Sequence, residues 1–157
     1  MKIRSYPGRR FLLGSALVFL VISVQAQDVK NDFASKISGK HFIFKAQTAT
    51  PTSGRLRQLT SDYDVKVSGD SLIAYLPYFG RAYSAPIDPT DGGINFTSVS
   101  FDYKYSQRKK GWDLTIKPKD ANGIQDLSFT IFDNGTASLR VNSINRQPIS
   151  FNGYLEK

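Results

Sequence analysis

The sequence predicts an all-β domain, an antiparallel up-and-down meander that forms a closed or nearly closed barrel, with one short helix before it. After residue 40, apolar and polar residues alternate with period two, and Gly, Pro and Asn mark short turns between the runs. This pattern gives about nine strands joined mostly by hairpins. Closure removes exposed sheet edges, which favours a barrel over the alternative, a two-sheet β-sandwich.

The first 26 residues are typical of a secretory signal peptide. Four basic residues come first, a largely apolar run extends from Phe11 to Val24, and Val24-Gln25-Ala26 is typical of a cleavage site. The run is too short for a helix that spans a bilayer. We therefore expect residues 27–157 to be exported as a single β-barrel domain, periplasmic or secreted, without a membrane span.

The amino-acid composition limits both the covalent cross-links and the kinds of partner expected of this domain. The chain has no cysteine, which excludes disulfide bonds. Its formal charge is +8, but four of its 21 basic residues and none of its 13 acidic residues lie in the signal segment, which leaves 17 − 13 = +4. A mild positive charge on an exported domain does not indicate nucleic-acid binding.

A short helix is predicted at the start of the mature chain. Val29, Phe33 and Ile37 recur every fourth residue, as on one face of a helix. Asp28 is a candidate cap and Gly39 a candidate stop.

The first strand pairs of the predicted sheet can be aligned from their turn residues. Phe42, Phe44 and Ala46 share one face of the first strand. Gly69-Asp70 is a favoured two-residue hairpin loop between the second and third strands. Its register pairs Val67 with Leu72, Val65 with Ala74, Tyr63 with Leu76, Lys66 with Ile73 and Asp64 with Tyr75. Ile73 and Tyr75 then face outward, and we expect the N-terminal helix to cover them.

Two later turns are aligned in the same way. A four-residue loop, Arg108 to Gly111, sets Asp102 opposite Lys117, so that opposite charges face each other across the strands. A three-residue loop, Asp133 to Gly135, matches apolar with apolar, with Gly135 left-handed. These two registers pair Tyr105 with Leu114, Tyr103 with Ile116, Ile131 with Ala137, Phe129 with Leu139 and Leu127 with Val141. In the last strand, Ile149 and Phe151 face inward.

Residues for catalysis or metal binding are scarce. His41 is the only histidine, and without cysteine no zinc-site spacing exists. The carboxylates Asp88, Asp91, Asp120 and Asp133 stand in turn sequences and do not match a calcium loop. We predict no catalytic residue, no metal site and no cofactor. A hydrolase would need converging acids or His41 in a cleft.

The candidate site is the stretch LIAYLPYFGRAYSAP, residues 72–86. Pro77 cannot donate to a sheet ladder and ends the strand, and Gly80 permits a sharp bend. Tyrosine and arginine side chains beside such a bend suit binding, because rings stack, hydroxyls hydrogen-bond and guanidinium pairs with anions. The alternative is a barrel corner closed by packed rings, with Arg81 bonding loop carbonyls. The candidate residues are Tyr75, Tyr78, Phe79, Arg81, Tyr83, Trp112 and Arg146.

Several strings resemble an exported bacterial family known as domain of unknown function 4251. They are YLPYFGRAYSAP, GGINF, GW before an alternating strand, and NRQPISFNG, with PTSGRLRQLTSDY upstream. The resemblance covers nearly the whole mature chain. It implies a lipocalin-like β-barrel and carries no established activity, so it identifies no functional residue.

Two functions fit these expectations. The first is a non-catalytic module that binds a small apolar or amphipathic molecule in or near the barrel, with rings lining the pocket and Arg81 holding an anionic group. The second is an envelope protein–protein interaction domain that uses an exposed Tyr/Phe/Arg patch. The direction of the rings distinguishes them, since a filled core excludes an interior ligand and a contiguous exposed patch supports a partner.

Overall fold

The protein is one curled antiparallel sheet with a short helix. The computed structural model describes residues 32–83 and 92–157. Residues 32–38 form helix α1. The strands are β1 His41–Pro51, β2 Arg57–Ser68, β3 Ser71–Pro77, β4 Gly93–Ser98, β5 Phe101–Arg108, β6 Gly111–Pro118, β7 Ile124–Phe132, β8 Thr136–Ser143 and β9 Ile149–Leu155. The predicted signal peptide, Asp28, Val29, Asp88 and Asp91 lie outside the described residues.

All nine strands belong to a single sheet in the order β4-β3-β2-β1-β9-β8-β7-β6-β5. Every pairing is antiparallel, and β9 returns to pair with β1. The predicted lipocalin-like meander with one short helix is confirmed, as a curled half-barrel, and the two-sheet sandwich is wrong. In the described part of the chain, no helix has the length and apolarity that a membrane crossing requires.

The edge strands β4 and β5 are connected by only two residues, Val99 and Ser100. The Asp120 side chain stabilises this connection through hydrogen bonds. Its carboxylate accepts hydrogen bonds from the Ser98 hydroxyl and from the Val99 amide, the latter at 2.9 Å. The Lys119 amide donates to the Ser100 carbonyl at 2.8 Å. The Ser98 hydroxyl is the main cause that lowers the pKa of Asp120, because it stabilises the charged carboxylate.

Aromatic rings fill the interior of the half-barrel. Phe42 and Phe44 on β1 both contact Phe129 on β7, edge to face, with ring centroids 5.9 and 5.7 Å apart. In the sheet, β9 and β8 separate β1 from β7, so these contacts cross the interior. Ile149 and Phe151 on β9 are buried in the same core, as predicted. The rings therefore pack across the interior of the half-barrel.

Helix α1 closes the inner side of the sheet. Phe33 and Ile37 are buried in the barrel core, and the Tyr103 hydroxyl donates to the Ile37 carbonyl at 2.7 Å. The expectation that this helix covers Ile73 and Tyr75 is wrong for its described residues, since both side chains stay exposed. The apolar face of the helix is buried against the core on the inner side of the sheet, and this burial stabilises the fold.

The hairpin registers are largely as predicted. All the pairs expected across the β5–β6 and β7–β8 turns form, and Gly135 has φ = 86°, in the left-handed region. The β5–β6 loop is shorter than predicted, because Arg108 pairs with Gly111 and leaves only Lys109 and Lys110 in the turn. Gly111 reaches this pairing with φ = 135°, a conformation that side-chain-bearing residues rarely adopt.

The β2–β3 hairpin matches its prediction as far as Asp64 opposite Tyr75, and then the strands separate. The predicted pair of Tyr63 with Leu76 is absent from this ladder. On its other side, β2 pairs Tyr63 with Ala46 and next Gln58 with Thr48, so residues 59–62 face the single residue Gln47. This irregularity lies in the part of β2 that does not pair with β3, and period-two counting cannot detect it.

Candidate functional site

The candidate stretch leaves the sheet at Pro77. Pro77 is the last residue of β3, buried and opposite Gly93 of β4, which confirms that it ends the strand. The Tyr78 side chain then folds back over Gly80. A Cβ atom at Gly80 would lie 2.5 Å from the Tyr78 hydroxyl oxygen, so only glycine fits beneath the ring.

Backbone hydrogen bonds fasten the bend to the segment between β8 and β9. Ala82 and Arg146 form an isolated antiparallel bridge. The Tyr83 amide donates to the Asn145 carbonyl at 2.8 Å, and the Gln147 amide donates to the Arg81 carbonyl at 3.0 Å. The two segments therefore form one structural unit at this end of the half-barrel.

Tyr78 and Arg146 fill the inside of this unit. The Tyr78 hydroxyl lies 2.8 Å from the Arg81 carbonyl oxygen and 3.0 Å from that of Gln147, and it donates to these acceptors. The Arg146 guanidinium lies 5.2 Å from the centre of the Tyr78 ring and donates to the Gly93 carbonyl at 2.6 Å. Burial raises the pKa of Tyr78, and the charge of Arg146 partly opposes that rise.

These contacts give Tyr78 and Arg146 the fastening role that the corner alternative assigned to Arg81. Arg146, not the Arg81 side chain, donates to a backbone carbonyl, that of Gly93 at the start of β4, while Arg81 contributes its own backbone carbonyl as an acceptor. The Arg81 side chain is exposed. Neither Tyr78 nor Arg146 presents its polar group outward as a docking residue would.

The other rings of the stretch point into solvent. Tyr75, Phe79 and Tyr83 are 52%, 36% and 69% exposed. The Arg57 guanidinium lies over the Phe79 ring, 4.7 Å from the ring centre. Tyr75 stacks on Tyr63, with ring centroids 5.5 Å apart and an angle of 28° between the ring planes. We refer to this set as the Tyr/Phe/Arg surface. Its members are Arg57, Tyr63, Tyr75, Phe79, Arg81 and Tyr83.

Trp112 does not share the exposure of these rings. It lies on β6, paired with Ile131 of β7, and is only 3% exposed. It belongs to the barrel core with Leu114 and Ile116. Trp112 therefore contributes to packing of the core, and the expectation that it lines or covers a pocket in or near the barrel stays a prediction.

Sequence reasoning missed two members of the surface, Arg57 and Tyr63. Arg57 reaches Phe79, 22 positions further along the chain, through tertiary contact alone. Tyr63 was expected in the inner-face ladder, and the β2 irregularity lets its ring reach Tyr75. A run of basic and apolar residues in the preceding loop, Arg55-Leu56-Arg57, was the one available signal.

His41 lies in an open cleft elsewhere on the surface. Its Nδ1 atom is 3.4 Å from the hydroxyl oxygen of Ser68, its cross-strand partner. The cleft holds about 250 Å³ and is lined by Lys36, His41, Phe42, Ile43, Lys66, Val67, Ser68, Glu156 and Lys157. A nucleophile needs a close base that a third group orients, and no described carboxylate bonds this imidazole. Among the described residues, the His41–Ser68 pair has no carboxylate that orients the imidazole.

Within residues 32–83 and 92–157, no three His, Cys, Asp or Glu side chains lie close enough together to hold a metal ion. The described acids instead bond neighbouring side chains. Lys45 donates to Asp64 at 2.9 Å, and this hydrogen bond raises the pKa of Lys45.

The comparison with protein families agrees with the strings noted in the sequence. The sequence profile described as Domain of unknown function (DUF4251) matches residues 25–155. The chain belongs to the DUF4251 family. No curated protein matches it.

A solved DUF4251 structure has the same fold. The crystal structure of a DUF4251 family protein from Bacteroides eggerthii DSM 20697 superposes with a TM-score of 0.54 at 17% identity. The match covers 81% of this chain and 86% of that one. At this identity the similarity concerns the fold of the DUF4251 domain alone.

Proposed function

We propose that this DUF4251 protein is exported through a cleaved signal peptide and acts, in the periplasm or outside the cell, as a non-catalytic domain that binds a protein of the envelope. The observation that carries the proposal is the exposure of Tyr75, Phe79 and Tyr83 beside a bend that Tyr78 and Arg146 already hold rigid. The N-terminal sequence supports export.

Rigid support makes these rings suitable for binding. Tyr and Arg are enriched among the residues that dominate binding energy, because large, stiff side chains bury much surface at little entropic cost. Here Phe79 is held by Arg57 and Tyr75 by Tyr63, so two rings are ordered before any partner arrives. Pre-ordering lowers the entropic cost of association.

The filled interior gives less support to a small ligand inside the barrel. The Phe42, Phe44 and Phe129 rings meet where such a molecule would lie. The function that the site residues favour is therefore contact through the outer surface, with the barrel as its scaffold.

Site-specific photo-cross-linking in the protein's own host tests this proposal. A photoreactive phenylalanine replaces Tyr75 or Phe79, and the control carries it at Tyr154, which is also exposed but on β9. We expect one discrete cross-linked protein from positions 75 and 79, lost on Tyr83→Ser, and none from position 154. Equal cross-linking from all three positions would refute a specific surface.

A further inference from the structure

The described loop segments around the Tyr/Phe/Arg surface carry arginines and no acidic residue. Residues 52–57, 78–83 and 144–148 contain four arginines and no acidic residue. The loops lie together, since the Thr52 hydroxyl donates to the Pro148 carbonyl at 2.7 Å and Tyr83 bonds Asn145. These described loops therefore concentrate a charge of +4 at one end of the half-barrel.

Three of these four arginines are exposed to solvent. Arg146 bonds the Gly93 carbonyl inside the bend, whereas the Arg55, Arg57 and Arg81 side chains are exposed. Among the described residues, no carboxylate forms an ion pair with Arg55, Arg57 or Arg81. Elsewhere on the described surface, five acids form ion pairs with Lys or Arg. These acids are Asp32, Asp64, Asp70, Asp102 and Asp113.

The arginine next to the rings is arranged to bind a planar anion. The Arg57 guanidinium lies over the Phe79 ring at 4.7 Å from its centre, and the residue is exposed to solvent. A guanidinium edge matches a carboxylate with two parallel hydrogen bonds. A partner that covers the rings also brings its own groups within reach of these arginines.

We propose that the partner of the Tyr/Phe/Arg surface presents an acidic peptide segment, whose carboxylates bind Arg55, Arg57 and Arg81 while its backbone and apolar side chains cover Tyr75, Phe79 and Tyr83. This inference rests on the proposed function and specifies its partner. Charge complementarity selects a polyanion, and the ordered rings on a sheet face favour a peptide, because they offer stacked, pre-ordered contact area.

Selection from a random peptide library displayed on phage tests the proposal without presuming a sequence. The bait is the exported protein purified from its own host. The test variant is Arg55→Gln/Arg81→Gln, and the matched control is Lys109→Gln/Lys110→Gln, which removes two exposed positive charges from the β5–β6 turn. Vesicles of phosphatidylglycerol and phosphatidylcholine in equal parts provide a second anionic probe.

We expect peptides enriched in Asp and Glu, bound less tightly at high KCl. Their affinity falls about fivefold in the arginine variant, the effect of two exposed ion pairs, and stays unchanged in the lysine variant. Neutral peptides, no enrichment, equal loss in both variants, or binding to the vesicles without acidic peptides would each overturn the proposal.

The photo-cross-linking experiment distinguishes failure of the acidic-partner proposal from failure of the proposed function. If Arg55→Gln/Arg81→Gln leaves the cross-linked product from position 75 intact and the selected peptides are neutral, the acidic partner is wrong and the proposed function stands. If position 75 gives no specific product, the proposed function fails as well.

Discussion

Removal of the Phe129 ring measures how completely the half-barrel is filled. Phe129 is 2% exposed and contacts Phe42 and Phe44, so Phe129→Ala leaves a cavity between β1 and β7. Truncation of a buried Phe costs about 3–5 kcal/mol when the surrounding core cannot collapse. Each lost edge-to-face pair contributes about 0.5–1.5 kcal/mol within that total.

Equilibrium urea unfolding, followed by circular dichroism, gives the free energy of unfolding for comparison with the control Phe132→Ala. Phe132 ends the same strand but is 43% exposed. We expect the control to lose about 1 kcal/mol or less, since surface truncations remove little burial. A loss below about 1.5 kcal/mol for Phe129→Ala would show that the ring borders an unfilled space, contrary to the packed interior.

Three smaller perturbations test the fastened bend and the corner. Tyr78→Phe removes a partly buried hydroxyl whose single proton lies between two carbonyl acceptors, and it should cost about 1 kcal/mol by urea unfolding. Gly80→Ala should lower Tm through a clash with the Tyr78 ring, while Gly92→Ala, with open space at its Cβ, should not. Asp120→Asn should lower Tm at neutral pH. Because the folded-state pKa of Asp120 is depressed, that stabilisation is present above the unfolded pKa and is lost as pH falls through the folded one, so scanning calorimetry should find that the Tm difference between variant and wild type shrinks as the solution is acidified through this range.

The strand register was predictable because each side chain has one cross-strand neighbour. Only one register at the β7–β8 turn matches Phe129 with Leu139, and the same reasoning pairs Val67 with Leu72. Prediction failed where the backbone breaks the period. The register shift of β2 opposite Gln47 accompanies the loss of the expected pair of Tyr63 with Leu76. At the β5–β6 turn, Gly111 was expected in the loop but pairs with Arg108 in the strand ladder.

The location of the candidate site in the sequence was predictable, but the direction in which its side chains point was not. Sequence identified the bend through Pro77 and Gly80, since these residues constrain the backbone locally. Which residues face inward depends on contacts between distant segments. Arg146 reaches Tyr78 from the β8–β9 connection, and Trp112 is buried by the curvature of the whole sheet.

Native mass spectrometry of the protein purified from its own host tests the central claim most directly, because it distinguishes an interior ligand from a surface partner. We expect the isolated domain to have the mass of its polypeptide alone, and we expect gentle conditions to retain a protein partner that Tyr75→Ser/Tyr83→Ser releases. A small molecule that stays bound to the folded domain and departs on unfolding would contradict a filled barrel that acts through its outer surface.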